Sequence, residues 1–256
     1  MYMKSVPVWA FHHKAETVST NLDARAGSHG DVFTADYQTA GRGRLDHKWL
    51  SPPGTNLMMS AVLSVEGIEP EQVATFPLVV GLAVAKALRP FVVDDPDAGR
   101  KTGDVKLKWP NDVLVAGKKI AGILCERHGD NVIAGIGVNV GQTEFDAEIA
   151  GRATSLALTG HLVVSRFASP VLEVRDAVLA SLERLYGLWH AHGFAAVYPE
   201  IAAIDALRGR FLSVCQTDDD SSPVQGVSLG IMPDGSLDVG GVRVYAGEAH
   251  VRSIAY

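Results

Sequence analysis

Cysteine is scarce, with only Cys125 and Cys215 among 256 residues. Neither stands in a Cys-x-x-Cys or similar spacing, which argues against a disulfide framework or a structural zinc site and suits a reducing, cytoplasmic compartment. Long hydrophobic runs are missing too. The most apolar stretch, residues 73–85, is 13 residues long without a charge. That is short of the roughly 18 that suggest a membrane span, so it reads as buried helix with no membrane partner. The opening MYMKSVPVWAFHH has no long apolar segment and no small-residue cleavage site, so no secretory signal is expected. An excess of positive charge is absent as well. Twenty-three Lys and Arg against 29 Asp and Glu (net −6) exclude a protein whose main task is coating nucleic acid. Nor is there a Gly-x-x-x-x-Gly-Lys-Ser/Thr run, so any nucleotide here is not held by a P-loop. What is present is a 47% hydrophobic chain with no internal repeat, large enough for one sizeable core and a small companion domain.

Local patterning supplies the elements. Ser19-Thr20-Asn21 read as the cap of a short helix over 22–26, followed by a Gly-rich turn and a strand over 32–37. A loop rich in glycine, arginine and proline spans 40–55 and precedes an apolar run over 57–63. Residues 70–90, apolar on nearly all sides, predict one buried helix. Strands over 105–109, 113–115, 120–126 and 132–140, joined by turns at Ala116-Gly117-Lys118 and Gly129-Asp130-Asn131, predict a β-meander. Val171, Val174, Val178, Leu182, Leu185 and Trp189 recur at helical spacing and predict an amphipathic helix of about five turns. Beyond Leu207 short strand-like runs (211–215, 224–231, 236–239, 242–245 and 251–254) alternate with turns and an acidic loop at 218–223. They predict a small β-barrel and a division into domains 1–206 and 207–256.

Four clusters carry chemistry. Gly41-Arg42-Gly43-Arg44 combines costly backbone freedom with mutually repelling cations, an arrangement that an anionic ligand would order. A solvated surface loop fits the same residues. Lys108-Trp109-Pro110-Asn111-Asp112 ends a strand where Pro110 cannot continue the ladder, so Asn111 and Asp112 sit at a turn. There Asp112 can serve a magnesium ion or a ribose, or the segment can be a plain turn. Lys118-Lys119 lie in a hairpin turn just before Ala121-Gly122, where glycine permits close approach to the backbone. Gly135-Ile136-Gly137-Val138-Asn139 places two glycines in an apolar strand beside a buried amide that needs partners.

In their order and spacing these clusters, with Ser19-Thr20-Asn21, Tyr37-Gln38-Thr39-Ala40, Trp49, Ser51-Pro52, Asn56-Leu57 and Ile120 to Leu124, resemble biotin–protein ligases over residues 15–140. A fainter echo follows at Gly247-Glu248-Ala249-His250-Val251-Arg252. The resemblance implies an α+β fold of the class II aminoacyl-tRNA synthetase and biotin–lipoate ligase type: a mixed sheet with helices on one face, plus an SH3-like C-terminal barrel. It also implies a reaction in which biotin and MgATP form biotinyl-5'-AMP, whose acyl group passes to a lysine of the carrier domain of acetyl-CoA carboxylase or a related carboxylase. By the same resemblance Lys119 and Arg44 are catalytic. Ser19, Thr20, Gln38, Gly41, Arg42, Lys119 and Gly122 face biotin. Arg42, Arg44, Trp49, Asn111, Asp112, Lys119 and Asn139 face ATP or the adenylate, with Asp112 a candidate Mg2+ ligand. No tightly bound prosthetic group is implied.

The sequence departs from the family after Arg44, where Leu45-Asp46-His47 replace a further positive charge with an acid and a titratable ring, so loop closure or its pH dependence is expected to differ. Many relatives carry an N-terminal helix-turn-helix domain. Here the Ser-Thr-Asn motif begins at residue 19, leaving no room for one, so no operator DNA is expected as a partner. The family's sheet can pair edge to edge, making a homodimer one expected assembly. Two rivals stand beside this reading: a lipoate or octanoate ligase, disfavoured by the polar Ser19, Thr20 and Gln38, and a non-catalytic biotin sensor, disfavoured by Arg44 and Lys119.

Overall fold

The computed structural model describes residues 7–45, 47–92, 105–159, 169–215 and 223–251. Asp46, Arg252, most of the acidic 218–223 loop and the end of the last expected strand lie outside the described residues.

A seven-stranded sheet forms the centre. Its strands are β1 (Ala10–Thr17), β2 (Asp31–Gln38), β3 (Leu57–Ser64), β4 (Val105–Lys108), β5 (Asp112–Val115), β6 (Lys118–His128) and β7 (Asn131–Val138), in the order β1-β2-β3-β7-β6-β5-β4. Only β1 and β2 run parallel; the other neighbours are antiparallel, and β4 to β7 form the expected meander. β1 was not expected. All of its side chains but Thr17 are exposed, so it carries no apolar alternation by which to recognise it.

Side chains alternate across the central strands, and the alternation separates two faces. Leu57, Met59, Ala61 and Leu63 of β3 point the same way as Val132, Ala134, Ile136 and Val138 of β7, and all are buried in the main core. Helix α3 (Phe76–Leu88) packs against β4, β5 and β6 on this face, and α4 (Pro170–His192) against β3 and α3. The approach of α3 is close: a Cβ at Gly81 would stand 2.5 Å from Leu107 Cδ1. Phe76, Tyr186 and Trp189 form an aromatic cluster between the helices, where Trp189 Nε1 donates to Thr75 Oγ1 and Tyr186 OH to Ser64 O.

The single helix expected over 70–90 is broken. α2 (Pro70–Val73) stops, and Thr75 Oγ1 turns back to donate to Gln72 O; α3 then starts with Pro77 in its first turn. Proline has no N–H to give and is tolerated only at a helix start, so a new helix begins there. Residues 70–91 are long and apolar enough to cross a membrane by length and composition alone, yet most of that segment is buried inside the fold. α4 is also longer than its apolar stripe, at 23 residues, and ends at Gly193 with φ 76°. A short helix α5 (Tyr198–Ala203) follows that sequence periodicity did not reveal.

The C-terminal strands β8 (Phe211–Cys215), β9 (Val224–Val227), β10 (Gly230–Ile231), β11 (Leu237–Val239), β12 (Val242–Val244) and β13 (Glu248–Val251) form two three-stranded antiparallel sheets, β13-β8-β9 and β10-β11-β12. The strand expected over 224–231 divides because Ser228 and Leu229 carry the chain from one sheet to the other, with Ser228 Oγ donating to Asp238 O. These sheets share the main core through Leu212, Val214, Ile231, Leu237 and Val239. Asp205 clasps the junction by accepting from the backbone N–H groups of Leu207 and Ile231, both at 2.8 Å. Its burial raises its pKa against the opposing pull of those bonds and of Arg208.

Leu107, fully buried between α3 and the sheet, is the test of this packing. Leu107→Ala is expected to cost about 2–5 kcal/mol, read as a lower urea midpoint at unchanged m-value; a shift equivalent to under ~0.5 kcal/mol would contradict the packing described.

Candidate active site

The face of the sheet away from α3 and α4 is stripped. Gly122 of β6 pairs with Gly137 of β7 and with Asp112 of β5, and Asp112 pairs with Lys108 of β4. A row of facing residues therefore crosses the sheet as Lys108, Asp112, Gly122 and Gly137, with two bare backbones at its centre. Part of the same face is covered by the small cluster of Ala24, Phe33, Val62 and Ile133. The rest opens into a cavity of about 1330 Å³ that reaches from Ser19 to the C-terminal residues Glu248 and His250.

Lys119 and Gly122 are three residues apart, so a regular strand would send them to opposite faces. The register shifts between Val113 and Leu114, with Val113 opposite Ala121 and Leu114 opposite Lys119. This bulge leaves Ile120 without a counterpart and buried. Lys119 is thereby re-aimed onto the cavity side, where its Cε lies 3.2 Å from the position a Gly122 Cβ would take. Its Nζ is 2.6 Å from Asp112 Oδ1. That oxygen is buried yet makes no hydrogen bond of good angle, so the contact is an ion pair and the oxygen keeps accepting capacity.

The arginine loop is folded as a hairpin. Arg42 bridges Lys48, Gly43 N donates to His47 O at 2.6 Å, and Trp49 N donates to Gly41 O at 2.9 Å. Leu45 takes a left-handed φ of 50° at its tip. The hairpin meets the C-terminal strands: Arg44 Nη1 donates to Gly247 O at 3.3 Å, and His47 Nε2 lies 3.5 Å from Glu248 Oε2. Burial lowers the Arg44 pKa, while the carboxylates of Asp112 and Glu248 oppose that pull. Trp49 lays its indole on the two-glycine floor, 2.5 Å from where a Gly137 Cβ would stand and 3.2 Å from one on Gly122. The Lys119 ammonium is 5.9 Å from the ring centroid, and Trp49 Nε1 is buried without a partner.

At the other end of the cavity Ser19 occupies the N-cap position of α1 (Thr20–Asp23) with extended backbone, but its hydroxyl makes no capping bond and lines the cavity instead. Thr20 donates through N and Oγ1 to Gln38 Oε1 at 2.8 and 3.1 Å, and the Gln38 amide nitrogen lies against Gly41, 3.0 Å from where a Cβ there would stand. Ser60, which sequence reasoning missed, donates to Asn21 Oδ1 at 2.6 Å and stands 2.8 Å from Thr20 Oγ1. Gly135 is bare because a Cβ there would lie 2.3 Å from Asn21 Oδ1.

The cavity thus brings together Ser19, Thr20, Gln38, Arg42, Arg44, Trp49, Asn111, Asp112, Lys119, Gly122 and Asn139. Gly41 is not among its walls; it is packed beneath Trp49 O, where a Cβ would stand at 2.6 Å. Asn111 turns its amide to Ile123 O at 2.8 Å, and Asn139, buried, donates to Thr154 O at 3.0 Å. Among the described residues no group of three His, Cys, Asp or Glu gathers to hold a metal. A magnesium ion would therefore have to share Asp112 with oxygen atoms of a bound phosphate, and the under-used buried Asp112 oxygen fits that.

Gly137→Ala should push the Trp49 indole off the floor. The expected result is a change in tryptophan emission that disappears in a Trp49→Phe background, with stability altered by less than about 1 kcal/mol. Identical emission from the Gly137→Ala and parent proteins would contradict the placement of the ring.

Comparison with known proteins agrees with this geometry. Residues 13–142 match the family described as biotin/lipoate A/B protein ligase. The chain is 37% identical over 171 residues to a biotin–acetyl-CoA-carboxylase ligase of Mycobacterium tuberculosis, covering 64% of this chain and 61% of that protein. It is 33% identical over 175 residues to the bifunctional ligase/repressor BirA of Bacillus subtilis, covering 66% of this chain and 49% of that one. Its matches therefore span about half to three fifths of the length of these curated relatives. The biotin protein ligase of Aquifex aeolicus, solved with biotin and ATP, superposes with a TM-score of 0.77 at 29% identity, covering 94% of this chain and 98% of that one. A glycine-floored cleft in a mixed sheet, the ordered arginine hairpin and these likenesses agree: the chain belongs to the biotin/lipoate A/B protein ligase family.

Proposed function

We propose that the protein is a biotin–protein ligase, which condenses biotin with ATP to biotinyl-5'-AMP and pyrophosphate and then transfers the biotinyl group to a lysine of a carboxylase carrier domain. The observation that carries this reading is the Lys119–Asp112 pair beside the bare Gly122–Gly137 floor. A carboxylate attacking an α-phosphate brings two anions together, and a cation at the meeting point offsets their repulsion. Lys119 is that cation. The floor lets the reacting groups lie against backbone within its reach, and Lys119 serves again when AMP leaves in the transfer step.

The two ends of the cavity divide the ligands. Ser19 Oγ, Thr20 and the Gln38 amide supply polar partners for the ureido ring of biotin, a requirement an octanoyl chain lacks. Arg44, held against Gly247 O, is the phosphate-facing cation of the hairpin. Trp49 offers an aromatic face to adenine. Asn139, whose amide nitrogen is committed to Thr154 O, has its Oδ1 left to accept from the adenine amine. Mg2+ brought with ATP would be held by Asp112 and the phosphates and supply charge neutralisation there. The hairpin over the site limits loss of the anhydride to water. A cytoplasmic setting suits both ATP and two cysteines that form no disulfide. A biotin carboxyl carrier domain is the partner, as the names of the relatives suggest.

Lys119→Ala separates catalysis from binding. Labelling of a carrier domain should fall by at least ~100-fold, while biotin binding by calorimetry changes by less than about tenfold. A variant that labels at the parent rate would remove Lys119 from the reacting centre.

A further inference from the structure

Glu126 lies on the cavity-side face of β6, in line with Gly122 and Leu124, but just beyond the cavity walls. It is half-buried and its two oxygens do different things. Oε2 accepts from Asn21 Nδ2 at 2.6 Å. Oε1 faces two guanidinium groups, 3.6 Å from Arg25 and 3.5 Å from Arg42.

The Asn21 bond is the end of a chain of polar contacts. Gln38 Oε1 accepts from Thr20, Thr20 Oγ1 contacts Ser60, Ser60 donates to Asn21, and Asn21 donates to Glu126. Gln38 is the last residue of β2 and Arg42 lies four positions later in the arginine hairpin. The network therefore leaves the chain at the start of the loop, runs through the wall of the polar end of the cavity, and rejoins it at the first arginine. Without Glu126 the loop would be tied to that wall at one end only, and Arg25 and Arg42 would face each other uncompensated.

We propose that Glu126 is a positioning residue, which couples the order of the arginine hairpin to the integrity of the biotin-facing wall. It touches no reacting atom. Its Oε2 fixes Asn21, and through Ser60 and Thr20 the orientation of Gln38; its Oε1 holds Arg42, and with it the hairpin that carries Arg44 and Trp49. The ion pairs are long and part-exposed, so their contribution is modest and sensitive to salt. The Asn21 bond is short, charge-assisted and sheltered, so it is the stronger half.

This inference rests on the ligase reading for its functional consequences, but the coupling can be measured without ligand. Glu126→Gln keeps an oxygen that can accept from Asn21 and removes the charge facing the arginines; Glu126→Ala removes both. Amide hydrogen exchange of the whole ligand-free protein should be about threefold faster over residues 41–49 in Glu126→Gln than in the parent. The Thr20 amide should be unchanged there, and the difference over 41–49 should close in 1 M salt. In Glu126→Ala both regions should loosen, and salt should not restore Thr20. In biotin-dependent ATP–pyrophosphate exchange, Glu126→Gln should keep the biotin KM and release biotinyl-AMP about threefold faster, whereas Glu126→Ala should also raise the KM. Parent-like exchange over 41–49 in Glu126→Gln, or identical profiles for the two variants, would overturn the coupling. Absence of biotin-dependent turnover in the parent would instead overturn the ligase reading, leaving the amide-exchange comparison to decide the positioning role.

Discussion

The structure depends on the two-residue alternation of β3, β6 and β7. One set of positions is filled with Leu, Met, Val, Ile and Ala and packs on α3 and α4. The other carries Val62 and Ile133 at one end, but opens at Gly122, Gly135 and Gly137 around the small polar side chain of Ser60. Burial of the first set supplies the stability, on the order of 25 cal/mol per Å² of apolar surface. Removal of side chains from the second opens the cleft without weakening the core behind it. The bulge opposite Val113 and Leu114 is the one break in this alternation, and it moves a single cation, Lys119, from the packed face to the open one.

Charge in the cleft runs against the charge of the chain. The protein is acidic overall, at −6, yet Lys106, Lys108, Arg42, Arg44 and Lys119 all line the cavity. Carboxylates stand beside three of these cations before any ligand arrives: Asp112 by Lys119, Glu126 by Arg42, and Glu248 beside His47 and near Arg44. An anion entering the cleft then meets positioned charge, with little reorganisation left to do. The hairpin's link to Gly247 and Glu248 makes the C-terminal strands part of the same arrangement.

The meander, the buried helical region and the glycine-bearing strands were legible because each leaves a local pattern: alternation, continuous apolarity or a Gly-containing turn. β1 was not, since an exposed edge strand has no buried side to alternate with. The division of residues 70–90 turns on Pro77 and on a hydroxyl bond from Thr75, against apolar periodicity that runs on unbroken. The clustering of Lys119, Gly122 and Asp112 follows from register, which no single strand encodes; only the order of motifs shared with a family pointed to it. Ser60 and Glu126 left weaker signals. Ser60 is a small polar residue in an apolar strand, and Glu126 stands four residues beyond Gly122 on the same face, but neither spacing has meaning until the cavity side is known. Gly41 lies outside the cavity walls, and its bare Cα leaves room for Trp49 O.

The central claim is that this cleft activates biotin through its carboxylate. ATP–pyrophosphate exchange by the purified protein with magnesium, comparing biotin, lipoate and octanoate as the acid, tests it most directly. The account predicts exchange with biotin and none above background with the two other acids. Exchange supported by lipoate or octanoate but not by biotin, or by none of the three, would contradict it.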